Sequence, residues 1–352
     1  MQHIIAKKSV AFLVLLASTV PAWMQTNSKQ PHSFLQEHFD FSNQDLAAID
    51  RGKIVTKLPK TSDNREVAVL GVARLNVSKE FFVEKFIDIE SFKKSEMVLQ
   101  VRKLSSPPRL EDMTELNLER EHLNALKECK VGACKVKVPT QWIERFLKVK
   151  WSAPDHKERA TVLTRQFLLD YVRSYLKEGN AALIEYSDQP YAQRLADEVR
   201  SFLDQSPYLV QTAPGFKEYL AEFPRMQMPG TDNFIYWSKE KVGALKPVLS
   251  FTHVAIHRGV SQSLTQTIIA SKQIYANHYF EGSLALTWVV DAETDSEKTG
   301  CYLIYLNRSR MDALRGGLNW LKRYIARGQI REGMLKNLQL IRDRIERLAE
   351  RP

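Results

Sequence analysis

PVLSFTHVAIHRGVSQSLTQTIIASKQIYANHYFEGSLALTWVVD, residues 247–291, decides the fold. Three runs rich in β-branched and aromatic residues, 247–258, 265–278 and 283–291, are separated by short polar connections such as 259–264. Such runs favour a pleated, half-buried backbone. Connections this short join antiparallel neighbours, since parallel strands need a crossover of a dozen residues or more. A further run at 234–241 precedes the stretch, and one at 301–307 follows it across 293–300. The expectation is a five-stranded antiparallel meander.

Toward the N-terminus, residues 66–76 read as a strand that is apolar on both faces. Val67, Val69, Gly71 and Ala73 interleave with Ala68, Leu70, Val72 and Arg74, as in a strand covered on each side. Ser78 stands at an N-cap position, and Phe81, Phe82, Lys85 and Phe86 follow at helical spacing. A short helix or turn at 89–94 and a strand at 97–103 come next. From Pro107-Pro108 to about Pro229 the period turns helical. The clearest helix is 156–178, with Ala160, Leu163, Phe167, Tyr171 and Leu176 on its apolar side and Gly179 as its stop. Others are read at 117–127, 140–148, from Asp188 and Pro190 to before Pro207, and at 216–223. This block, about 108–230, is taken as a mostly helical insertion docked on the sheet, with an independent helical subdomain as the other reading. Residues 23–62 form a polar arm with one short helix. Beyond the last strand runs a long helical stretch, interrupted near Gly316-Gly317 and Gly328. Met334, Leu338, Ile341, Ile345 and Leu348 recur in it at steps of four and three, an apolar stripe that must lie on the sheet.

The first twenty-two residues predict export. Lys7 and Lys8 precede an apolar run from Val10 to Leu16, and Val20-Pro21-Ala22 offers small residues for a signal peptidase. The run is shorter than the roughly 20 residues that span a bilayer, so a soluble periplasmic or secreted product is expected. With 44% hydrophobic and 26% charged residues, neither disorder nor a fibrous structure is indicated. The formal charge is +10, and between Arg308 and Arg351 twelve Lys or Arg face five Asp or Glu. Such a basic end either meets anionic lipid peripherally or is a solvated helix face. Nucleic acid is not expected as a partner of an exported chain without a recognisable binding module. Cys129 and Cys134 enclose a short turn, which suits a disulfide in an oxidising compartment; a pair of zinc ligands is the rival, but no second Cys or His pair follows at zinc-site spacing. No metal or cofactor is expected. Cys301 opens an apolar run and reads as a buried thiol.

The order strand, helix pair, antiparallel meander and long C-terminal helix resembles the START-like or helix-grip superfamily of polyketide cyclases and lipid-transfer domains. Val72-Ala73-Arg74-Leu75-Asn76-Val77-Ser78, Phe81-Phe82 and Asp88-Ile89-Glu90-Ser91-Phe92 are similar to that superfamily's opening, and Leu314 to Ile345 to its closing helix. The resemblance implies an α+β fold at 63–352, an antiparallel sheet gripping the C-terminal helix and leaving a mostly apolar cavity between them. The helical block has no counterpart in the minimal fold. Strand faces then supply the ligand candidates: Phe251 and His253, Tyr275 and Tyr279, Trp288, and Tyr302 with Tyr305. Aromatics with one polar end suit a large apolar ligand fixed by a few hydrogen bonds, and equally an ordinary core. Asn307, Arg308 and Arg310 at the end of the last strand are candidates for an anionic head group.

Signatures of enzymes are sparse. There is no Gly-x-Ser-x-Gly elbow, phosphate-cradling glycine loop or His-Glu-x-x-His helix. His253 and His257 stand roughly 13 Å apart along one strand face, too far to share a metal, and His278 with Glu281 is the best proton-transfer pair on offer. The expectation is therefore a non-enzymatic carrier of a hydrophobic small molecule or lipid. A cyclase- or hydrolase-type enzyme using the same cavity, with His253 or His278 as base, and an interaction module docking partners through residues 118–223 are the alternatives.

Overall fold

The computed structural model describes residues 30–243, 245–261, 264–292, 300–315 and 319–350. The signal segment read at residues 1–22 and the glycine pair Gly316-Gly317 lie outside them. An eight-stranded antiparallel sheet organises the chain: β1 (Val55–Lys57), β2 (Glu66–Leu75), β3 (Val98–Lys103), β6 (Thr231–Glu240), β7 (Val248–Ser261), β8 (Leu264–Ala276), β9 (Phe280–Ala292) and β10 (Gly300–Met311). Their order is β1-β2-β10-β9-β8-β7-β6-β3. The meander expected from the late runs is β6 to β10, each strand beside its successor. β2 returns to pair with β10, from Cys301↔Leu75 to Arg310↔Glu66. β4 (Glu185–Tyr186) and β5 (Gln193–Arg194) form a small separate hairpin.

Helices cover both faces, which is why β2 is apolar on each side. One face carries α3 (Lys79–Ile87), α4 (Ile89–Lys93) and the long C-terminal α11 (Asn319–Ala349). There Val69, Val254, Ile256, Ile269, Val289 and Leu303 pack with Phe82, Met334, Leu338 and Ile345. The other face carries α1 (Gln30–Phe39), α2 (Asn43–Asp50), α5 (Arg120–Lys127), α6 (Thr140–Phe146), α7 (His156–Glu178), α8 (Leu195–Asp204), α9 (Tyr208–Thr212) and α10 (Phe216–Glu222) over Phe251, Tyr275, Leu286 and Trp288.

Local chemistry sets the element ends. The Ser78 hydroxyl accepts from the Phe81 amide at 3.2 Å, the N-cap expected for α3. α7 stops at Gly179, whose φ of +64° suits glycine. Gly71 lets α11 approach β2, because a Cβ there would stand 2.3 Å from Leu338 Cδ1.

Three expectations change. The helix read from Asp188 starts only at Leu195, because the amides of Gly132 and Cys134 donate to the carbonyls of Ser187 and Asp188 and hold the preceding chain as a hairpin. α11 runs unbroken through Gly328, which bears the cost of about 1 kcal/mol for a helical glycine. The N-terminal arm supplies two helices, the second with a Ser42–Asp45 capping box, and the edge strand β1. Cys129 and Cys134 are disulfide-bonded and Cys301 is a buried thiol. Among the described residues no helix is long and apolar enough to cross a membrane.

Candidate functional site

Strand alternation splits the sequence candidates between the two faces of the sheet. Phe251, His253, Tyr275, Trp288, Tyr302, Arg308 and Arg310 face the layer of α1, α2 and α5–α10, whereas Tyr305 and Asn307 face α11. Phe251, Tyr275 and Trp288 are core residues. Tyr275 Oη donates to the Lys137 carbonyl at 3.2 Å, and Trp288 Nε1 donates to Thr212 Oγ1 at 3.1 Å beneath the rings of Phe34 and Tyr208. Tyr302 Oη donates to Asp50 Oδ1 at 2.7 Å under α2. Tyr279 sits at the β8–β9 turn with φ +61°, its hydroxyl accepting from the Lys246 amide at 3.0 Å. Lying on opposite faces of the sheet, these side chains do not share one cavity among the described residues.

The polar cluster at the end of β10 divides in the same way. Asn307 and Ser309 join Ser283 on the α11 face, with Ser283 Oγ and Ser309 Oγ 2.8 Å apart and Asn307 Nδ2 donating to Ser283 Oγ at 3.2 Å. Arg308 and Arg310 enter a buried ion network on the other face. Arg308 donates to Glu66 at 2.6 Å, and Arg310 reaches Glu66 at 3.3 Å and also Glu198. Arg65 bridges Glu198 at 3.1 Å and Glu281 at 2.5 Å, and Arg315 pairs with Glu281 as well. Glu66 and Glu281 are both 0% exposed, and arginines supply their counter-charge, Glu66 also accepting from Gln205 Nε2 at 3.1 Å. Glu281 is thereby committed to arginines, while His278 packs edge-on against His122 with ring centroids 5.8 Å apart. Burial, aided by Lys246, pushes the His278 imidazole down to about 4.

The open space of interest lies at the β1 edge. A groove of about 1320 Å³ runs between the end of α1, β1 with the chain that follows it, the start of α9, and α11. Phe39, Ile54, Leu58, Tyr208 and Leu335 contribute its apolar surface, interspersed with the charged groups of Glu37, Asp40, Lys57, Lys60, Arg331 and Glu332. β1 positions these groups: Lys57 Nζ donates to Asp45 Oδ2 at 2.8 Å and to the Asp40 carbonyl at 2.6 Å, tying the strand to the arm. The Asp45 carboxyl is held down at about 2 by its hydrogen bond from Lys57 and by the Ser42 amide. Arg308 is the one sequence candidate that reaches the groove, and its guanidinium is already engaged by Glu66. The groove was not visible to strand-face reasoning because its walls come from the arm, an edge strand of three residues and the exposed side of α11.

Among the described residues of α11, four arginines bond to segments beside the helix. Arg327 donates to the Leu58 carbonyl, Arg342 to the Gly52 carbonyl at 2.6 Å and Arg344 to the Phe92 carbonyl at 2.6 Å, while Arg331 meets Thr56 Oγ1 at 3.2 Å. These bonds pin neighbouring loops and leave fewer of the helix's cations for an anionic surface. No cluster of three metal-ligating side chains occurs among the described residues. No family model and no curated protein matches the chain.

Proposed function

We propose that the chain is an exported, non-enzymatic binding protein that holds an elongated, lipid-like molecule in the groove at the β1 edge. The observation that carries this reading is the groove's size, about 1320 Å³, above the roughly 300–1,000 Å³ of ordinary small-molecule pockets. Its apolar side chains suit an acyl or polyisoprenoid chain, and Lys60 is a cation among its polar groups that suits an anionic head. The signal-like N-terminus and the Cys129–Cys134 disulfide support an oxidising, extracytoplasmic setting.

The fold reading that goes with it is a START-like, helix-grip domain carrying a helical insertion between β3 and β6. Its support is the path of the chain, in which β2 passes through α3 and α4 to β3, and β6 to β10 lead into α11. The three helices of that path share one face of the sheet, and the intervening block lies on the other.

Native mass spectrometry followed by solvent extraction, on protein purified from an exporting host, tests the function. One co-purified lipid per chain is expected, lost in a folded variant carrying Leu58→Asp and Leu335→Asp. An empty protein that takes up no lipid from vesicles overturns the proposal.

A further inference from the structure

Lys272 on β8 and His253 on β7 are cross-strand partners on the face covered by α7 and α10. Lys272 Nζ donates to Asn180 Oδ1 at 2.7 Å and to the Leu220 carbonyl at 3.4 Å, with the rings of Tyr175 and Phe223 centred 5.1 and 5.9 Å away. Asn180, in the 3-10 helix Gly179–Ala182, also donates to the carbonyls of Leu220 at 3.2 Å and Ala221 at 2.8 Å. One amine thus joins the end of the α7 segment and the end of α10 to the middle of the sheet.

His253 completes the junction. Its Nε2 lies 2.9 Å from Asn233 Oδ1, which also accepts from Tyr219 Oη at 2.8 Å. An amide oxygen only accepts, so Nε2 carries the proton, and Nδ1 lies 2.7 Å from Tyr175 Oη, a hydroxyl that donates to a neutral imidazole and accepts from a charged one. The titratable groups around the pair are the Tyr171 and Tyr175 phenols from α7 and the Tyr219 phenol from α10, while β6 and the 3-10 helix bring only the amides of Asn233 and Asn180. No carboxylate among the described residues compensates either base. Both side chains are 1% exposed. Burial brings the Lys272 amine down to about 7, and burial with Lys272 nearby brings His253 well below the ordinary imidazole range.

We propose that His253 and Lys272 form an acid-sensitive latch, in which proton uptake by this pair loosens the attachment of Gly179–Ala182 and α10 to the sheet. The direction follows from linkage. The opened form binds protons more readily than the closed one, so opening gains as pH falls. For Lys272 the window runs from about 10.5 down to about 7, and for His253 it lies below about 6.5.

Hydrogen exchange on the full chain, corrected for intrinsic chemical rates, reads the latch between pH 9 and pH 6. Protection of amides in Gly179–Ala182 and α10 should fall about tenfold per pH unit from pH 9 to pH 7, the slope of a single linked proton. Lys272→Met, which fills the same space without a titrating group, should flatten that slope. Constant protection in the wild type, or an unchanged slope in Lys272→Met, overturns the latch. If the variant does not fold, a wild-type NMR titration of Lys272 Cε decides: a midpoint near 7 supports the proposal, and one near 10.5 overturns it.

Discussion

The two faces of the sheet are built from alternate residues of the same strands, yet they differ in material. Toward α5–α10 the strands present Phe251, Tyr275 and Trp288 together with Arg308, Arg310 and Lys272, all buried. Toward α11 they present aliphatic residues such as Val254, Ile269 and Val289 with small or hydroxylic groups at Gly71, Ser271, Ser283, Ala285 and Thr287, and Tyr305 and Asn307 are only half buried. The difference follows from what covers each side. α8 brings Glu198 to Arg310, and β2 brings Glu66 to both arginines, so the charge of these two arginines can be removed from water. Ion pairs on the α11 face sit at its rim among the described residues: Lys93 and Glu240 meet at 3.1 Å with 22% and 31% of their side chains exposed, and buried Lys79 meets Asp291, 51% exposed, at 2.6 Å.

The largest expected effect breaks this asymmetry at Glu66. Glu66→Ala leaves Arg308 and Arg310 without their shared carboxylate in a buried setting, a loss of about 3–5 kcal/mol. Glu240→Ala removes a partly solvated partner and should cost about 1 kcal/mol or less. Urea denaturation of the two variants measures the gap. Equal losses would show that the buried network contributes no more than the rim pair.

Trp288 and Tyr305 give the next test, since both are strand aromatics in adjacent strands on opposite faces. Trp288→Ala empties space under Phe34 and Tyr208 and should cost about 3–5 kcal/mol. Tyr305→Ala, at a half-buried site, should cost about 1–2 kcal/mol. Burial pushes the Tyr305 phenol up to about 12, so no change in its ionisation complicates the measurement near neutral pH. A Trp288→Ala protein as stable as the wild type would mean that the aromatic layer does not hold α9 and the arm.

Much of this organisation was legible in the sequence, and the rest was not, for identifiable reasons. Period-two patterning and short polar connections located β6 to β10, and a serine at the right spacing located α3. The stripe from Met334 to Ile345 marked the long helix and its need for a sheet. Alternation alone, however, cannot say which face meets which helix when both faces are apolar. Phe251, Tyr275 and Trp288 therefore look like cavity residues in the sequence and are core residues under α6, α7 and α9 in the fold. β1 is too short to show a period, and its pairing with β2 joins residues 13 to 17 apart in the chain, from Lys57↔Leu70 to Val55↔Val72. The groove it borders combines segments far apart in the chain. The hairpin of β4 and β5 escaped because its turn is held by amides of the disulfide loop, a tertiary influence that no local pattern records.

Glycine supplies the last comparison of the faces. At Gly71 on the α11 face a Cβ would stand 2.3 Å from Leu338 Cδ1 and 3.0 Å from Met334 Cγ. Both side chains belong to the stripe that docks α11, so they have to shift together with the helix. At Gly282, where α8 packs on β9, the nearest atoms are Glu198 Cβ, Leu195 Cδ1 and Phe202 Cε2 at 3.1 to 3.3 Å, which a displacement of a few tenths of an ångström relieves. Neither glycine has a positive φ, so alanine fits either backbone and gains roughly 0.5–1 kcal/mol from reduced freedom of the unfolded chain. Gly71→Ala should therefore lose about 1–3 kcal/mol through overpacking, while Gly282→Ala comes out near neutral because the two contributions offset. Hydrogen exchange along α11 in Gly71→Ala should rise from residue 334 onward while α8 is unaffected. If both variants lose stability equally, the close approach at Gly71 is not what fixes the C-terminal helix on the sheet.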